Sequence, residues 1–183
     1  RTGRITSYQV LKAWLYKLDS TPISGKTITF KVDGSLVGSD VTRSTGLAQI
    51  GYTIPDGAGE GVRPILAEWA GDGGFLPSSV TNNLTVQKAR IYIWVMSKSV
   101  KQGTNAPLYA YFRRLKDYQP QTNKPVDFKI DGTVVASVLT DGTGVARHSY
   151  LTLDPVGAHT IRCEFYGDAW LEAGFGEGTL NVL

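Results

Sequence analysis

Phe30-Lys31-Val32-Asp33-Gly34 decides how this chain is read, because it returns as Phe128-Lys129-Ile130-Asp131-Gly132. Each copy is a short strand pattern that runs into Asp-Gly. A two-residue hairpin turn asks both of its central residues for positive φ, and Asp-Gly is among the few pairs that supply it. Asp33, Gly34, Asp131 and Gly132 are therefore read as structural turns. The match continues outward. Thr42, Gly46 and Ala48 recur as Thr140, Gly144 and Ala146, and Ile65-Leu66-Ala67-Glu68-Trp69-Ala70-Gly71-Asp72 recurs as Ile161-Arg162-Cys163-Glu164-Phe165-Tyr166-Gly167-Asp168. The chain is two copies of one all-β unit.

Composition agrees. The 183 residues divide into two units of roughly 90 residues, each large enough for a small core. The 21 glycines, with many Thr and Val, favour short strands and turns, and no window carries a capped helical period. The net charge is +3 and the pI about 9.0. The basic residues are scattered, with Arg113-Arg114 the only tight pair, so no basic stripe points to nucleic acid. The single cysteine, Cys163, excludes an intrachain disulfide and shares strand parity with Ile161 and Phe165, which makes it a small core residue. No apolar run is long enough to span a bilayer and no signal peptide is recognisable, so membrane insertion is not expected. A chain that opens at Arg1 without Met is expected to be a processed or excised form.

Taken in order, residues 1–87 form the first domain and 88–183 the second, with Gln87-Lys88 as a short boundary. In the first, Arg1 to Gln9 shows no strand pattern. Leu11, Ala13 and Leu15 alternate with Lys12, Trp14 and Tyr16. Strands follow at 26–32, 35–40, 48–52, 64–70 and 83–86. In the second, Ile91, Ile93 and Val95 alternate with Tyr92, Trp94 and Met96, then 97–105 reads as a loop. Leu108, Ala110 and Phe112 match Leu11, Ala13 and Leu15. About seven short strands with frequent turns fit an immunoglobulin-like sandwich.

These segments resemble the bacterial Ig-like repeat domains of adhesins, invasin-like proteins and large surface proteins. The likeness rests on Gly25-Lys26-Thr27-Ile28-Thr29-Phe30 through Gly34, on Thr42 through Ala48, and on His159-Thr160-Ile161 through Gly167-Asp168. It implies two tandem Ig-like β-sandwiches in an extracellular or cell-surface bacterial protein. It also implies a non-catalytic structural or adhesive role, as a stalk spacer or fibre subunit, with protein partners through self-association or flanking domains. Trp69 and Phe165 stand where the family usually has Tyr, and Pro64 interrupts a strand start.

The opening strand 90–96 of the second copy has no counterpart in the first. The first domain is therefore expected to lack its opening strand, leaving the edge that carries Leu11, Ala13 and Leu15 open. Unpaired N–H and C=O groups on a sheet edge are a template for another strand. Three readings stay open: the chain was cut there, Arg1 to Thr6 folds back, or another chain supplies the strand.

Few constellations point to chemistry. Lys31 with Glu68, and Lys129 with Glu164, are expected to form outward cross-strand ion pairs. An isopeptide crosslink would need such a lysine buried and neutral. Asp72 and Asp168 are expected to cap turns. His148 and His159 lie on different strands with no zinc spacing, and the acidic residues sit in separate turns, so no metal and no cofactor are expected. No catalytic motif occurs. The aromatics carry more. Tyr92, Trp94, Tyr109 and Tyr111 fall on outward parity of two strands of one sheet. They form a candidate surface for a partner, or for stacking on the sugar rings of a carbohydrate.

Overall fold

A computed structural model describes residues 1–183. The chain forms two compact units, Arg1–Lys88 and Ala89–Leu183. The first holds β1 (Thr2–Arg4), β2 (Tyr8–Trp14), β3 (Thr27–Val32), β4 (Ser35–Val41), β5 (Leu47–Thr53), β6 (Gly61–Trp69) and β7 (Ser78–Gln87). The second holds β8 (Ile91–Val95), β9 (Lys98–Val100), β10 (Asn105–Arg114), β11 (Pro125–Ile130), β12 (Thr133–Leu139), β13 (Val145–Leu151), β14 (Gly157–Phe165) and β15 (Gly174–Val182). There is no helix.

The Asp-Gly turns set both frames. Asp33 and Gly34 have φ of 53° and 78°, Asp131 and Gly132 of 46° and 85°, the left-handed pair such a turn requires. Each turn folds a strand onto its neighbour with the same register shift, after Phe30 in β3 and after Phe128 in β11. From there the sheets assemble in parallel fashion. Unit 1 orders one sheet β1-β7-β6-β3-β4 against a second, β2-β5. Unit 2 orders β9-β15-β14-β11-β12 against β8-β10-β13. Both are immunoglobulin-like sandwiches.

Alternation places the cores. Leu11, Phe30, Leu84 and Val86 are buried in unit 1; Leu108, Phe112, Phe128, Ile161, Phe165 and Leu180 in unit 2. Each such side chain contributes about 1.5–3 kcal/mol through removal from water. Phe112 and Phe165 meet with ring centroids 4.9 Å apart, where unit 1 has Leu15 and Trp69.

The repeated polar positions have a common purpose. The Thr42 hydroxyl accepts from the Lys26 N–H, and that of Thr140 from the Lys124 N–H, so these buried threonines pin one sheet end. Asp72 Oδ1 accepts from the N–H groups of Gly74 and Phe75, and Asp168 Oδ1 from those of Trp170 and Leu171. Their second oxygens pair with Lys26 and Lys124. The lysine after the positive-φ residue (Gly25 or Asn123) and the aspartate after the positive-φ glycine (Gly71 or Gly167) thus tie two loops together.

Several expectations need correction. Arg1 to Gln9 is not patternless: Thr2–Arg4 is β1, paired parallel to β7 with Thr2 opposite Thr85. The 97–105 loop likewise contains β9, parallel to β15 with Lys98 opposite Leu180. Three residues are too few to show a period, so the partner strand decides their state. The strand expected from Pro64 begins at Gly61, and Pro64 is tolerated inside it because its main chain faces past the end of β3: its carbonyl accepts from the Asp33 N–H in the turn. The last strand of unit 1 begins at Ser78, not Asn83.

Candidate functional site

The site is built from a difference between the units. In unit 2, β10 pairs with β13 on one side and β8 on the other. In unit 1, its counterpart β2 pairs with β5 alone. The registers superpose: Ala110 lies opposite Ala146 as Ala13 lies opposite Ala48. In unit 2 the Met96 N–H donates to the Tyr109 carbonyl, so alternate main-chain groups from Tyr109 face β8. The equivalent groups of unit 1 belong to Val10, Lys12 and Trp14. The Leu15 N–H, of the other parity, turns inward to the Gly46 carbonyl.

Arg1 to Thr6 does not close this edge. β1 stands where β9 stands, against the last strand of the other sheet, and nothing stands where β8 does. The edge candidates Leu11, Ala13 and Leu15 point their side chains into the core and are buried. The reactive feature is the backbone of β2 together with Trp14, whose side chain is 53 % exposed.

Opposite that edge lies an uncovered floor. In unit 2, β8 crosses β15 at Gly174, Gly176 and Gly178. A Cβ on Gly176 would fall on the Ile93 carbonyl carbon and oxygen, and one on Gly178 would crowd the Val95 oxygen. Glycine is needed here for close approach of two backbones. The strand partners locate the equivalent residues of β7. Gly174 pairs with Phe165 as Ser78 pairs with Trp69; Gly176 with Cys163 as Val80 with Ala67; Gly178 with Ile161 as Asn82 with Ile65. So the floor in unit 1 is Ser78, Val80 and Asn82. All three are exposed, and Val80 is 61 % exposed although it faces inward. A cleft of about 90 Å³ lies between Trp14 and Val80, with Ile28 and Trp69 at its base. A larger one of about 670 Å³ continues from its end, walled by Leu15, Tyr16, Leu18, Phe75 and Leu76. Sequence reading missed the floor. The signal was present as Gly-x-Gly-x-Gly at 174–178 against Ser-x-Val-x-Asn at 78–82.

The four aromatics of unit 2 are not one platform. Trp94 lies directly opposite Tyr111 and stacks on it, centroids 5.1 Å apart at 29°. Tyr92 meets Tyr118 edge-on. Tyr109 is separated from them, with Lys98 at 5.6 Å and Arg147 at 6.0 Å from its ring centre. Trp94 remains 49 % exposed.

The charged groups are paired locally. Lys31 Nζ lies 2.6 Å from Glu68 Oε1, and Lys129 pairs with Glu164. Both pairs run diagonally across their strands, since Lys31 is opposite Leu66 and Lys129 opposite Arg162. The Glu164 hydrogen bond raises Lys129, and the Lys129 hydrogen bond lowers Glu164, as ionised partners do. His159 Nδ1 lies 2.7 Å from Asp131 Oδ2 and its Nε2 2.8 Å from the Pro155 carbonyl, so the hydrogen bonds to Asp131 and then to Pro155 favour the cation and raise its pKa. Unit 1 places Arg63 on Asp33 instead, at 2.6 Å. His148 sits half-buried on β13 opposite Leu108. Cys163 is fully buried, and burial pushes its thiol up to about 12. No group of three or more His, Cys, Asp or Glu converges as a metal site would. No helix is long and apolar enough to cross a membrane.

No known family profile matches the chain, and no curated protein does. Among solved structures it is similar to the fibronectin(III)-like modules of Clostridium thermocellum CbhA, at 16 % identity over 99 % of this chain and 88 % of that one, TM-score 0.40. It is similar also to the Yersinia pseudotuberculosis adhesin InvE, at 14 % identity over 99 % and 56 %, TM-score 0.44. The titin domains Z1Z2 in complex with telethonin match at 15 % over 100 % and 91 %, TM-score 0.46.

Proposed function

We propose that this chain is a non-catalytic structural or adhesive module of a bacterial surface protein, a stalk spacer or fibre subunit, and that unit 1 makes its connection by strand addition. The observation that carries the reading is the open edge of β2 beside the exposed inward face of β7. An added strand would gain main-chain hydrogen bonds along β2 and cover Trp14 and Val80, which combines affinity with apolar burial.

Lys12→Pro tests this. The Lys12 N–H faces the open edge, so proline removes no bond of the β2–β5 ladder but blocks a newcomer. An array of seven-residue peptides is probed with the whole chain. Binding by wild type that is lost in Lys12→Pro, with unchanged urea unfolding, is the expected result. Equal binding by both proteins, or none by either, overturns strand addition.

A second reading, carbohydrate binding in unit 2, draws on the exposed ring of Trp94 beside Tyr92. Trp94→Ala then abolishes retention on immobilised glycans, whereas strand addition in unit 1 is untouched by it.

A further inference from the structure

The two slots differ in which side carries the bulk. Unit 2 puts β-branched side chains on the strand, Ile91, Ile93 and Val95, and glycine on the floor. Unit 1 puts Ser78, Val80 and Asn82 on the floor. Packed interiors hold a nearly constant density, so a wall that gains three side chains must meet a strand that has given some up. A Val at the position of Gly176 would set its Cβ and two methyl groups on the main chain of a strand seated at the depth of β8. Because that contact would be with backbone, no rotamer of the incoming strand relieves it; the strand must ride higher, and a large inward residue over Val80 would then have nowhere to go.

Two further features define the occupant. β7 reaches beneath the open edge of β2, as β15 reaches beneath β8. The edge of a folded sheet would bring its own second layer into β7, so only a single extended strand can enter. Trp14 occupies the position of Tyr111, whose ring is covered by Trp94 of the neighbouring strand. A strand in unit 1 therefore offers an outward aromatic side chain to Trp14.

Resting on the strand-addition reading, we infer that Val80 is the selector of the unit 1 slot: it admits an extended strand with a small residue facing it and an aromatic residue beside Trp14, and it excludes β8. The exclusion has a purpose in a tandem protein. The unit 1 slot cannot capture β8 of a neighbouring copy, so swapping of β8 between units is disfavoured and the slot stays available for a different strand.

A double-mutant cycle tests the inference on the full chain. The probes are a fluorescein-labelled peptide of residues 90–96 and the same peptide with Ile93→Gly, titrated by anisotropy against wild type and Val80→Gly. Wild type binds the Ile93→Gly peptide at least about tenfold more tightly than the unaltered one, and Val80→Gly removes or reverses that preference. If wild type binds both peptides alike, or the preference survives Val80→Gly, the selector is wrong while strand addition stands. If no combination binds, strand addition itself fails, and the selector with it.

Discussion

The carbonyl of Ile93 occupies the place where Gly176 would carry a side chain. This contact between two backbones closes the edge of unit 2, and its absence from unit 1 is the chief difference between two otherwise superposable sandwiches.

Gly176→Ala should therefore unseat β8. Gly176 has an ordinary φ, so the cost is steric, about 1–3 kcal/mol as for other overpacked sites. Cys163, the only cysteine, lies in unit 2 and reports on that unit alone. Urea unfolding followed by thiol labelling should shift to lower denaturant in Gly176→Ala, and an unshifted midpoint would show that β8 is not held against β15.

Val80→Lys should leave stability within about 0.5 kcal/mol of wild type, because an exposed side chain gives up little on replacement. Val86→Ala, three pleat repeats further along the same face but buried, should cost several times more. Equal losses in thermal unfolding would mean that something already covers Val80.

His159 should titrate above its ordinary value of about 6.5, because Asp131 and the Pro155 carbonyl both favour the cation. Its folded pKa is raised, so its contribution to stability is complete below about pH 6.5 and is lost as pH rises through the folded value. Asp131 is lowered by the His159 hydrogen bond, so its contribution is present above about pH 4 and is lost as pH falls through its own depressed value. The pair is at full strength between those limits. Proton NMR of the imidazole should give the raised midpoint in wild type and a lower one in Asp131→Asn.

Cys163 should resist alkylation at neutral pH for as long as unit 2 is folded. Burial both blocks access and holds the thiol protonated, with its pKa near 12. Iodoacetamide followed by intact mass should add one label in urea and none without it; rapid native labelling would place Cys163 outside the core.

Most of the fold was legible because the repeat supplied an internal reference. Phe30 and Phe128, the Asp-Gly turns and the Leu11–Leu108 match assigned the central strands by alternation alone. What escaped lacks alternation for a physical reason. Thr2-Gly3-Arg4 is a strand only because β7 offers it an edge. Ser78 to Asn83 is polar apart from Val80 and exposed throughout, so it shows no alternation and reads as a loop until its pairing with β6 is seen. The open edge was legible as a gap in the repeat. Its floor was not, because the informative residues are glycines in the other copy. Sequence parity could not show that Tyr111 lies under Trp94 or that cations flank Tyr109.

The parallel pairing of β1 with β7 has one more consequence. The Thr85 N–H donates to the Arg1 carbonyl and the Ile5 N–H to the Gln87 carbonyl, so the bonds are spread along strands at the two ends of the unit. Tension applied at Arg1 and Lys88 pulls these strands lengthwise past each other. The bonds are then loaded in shear, together, and cannot unzip one at a time. Unit 2 repeats the arrangement with β9 and β15. A chain of such units would resist stretching up to a threshold and then yield one unit at a time, at a force set by its unfolding rate rather than its equilibrium stability.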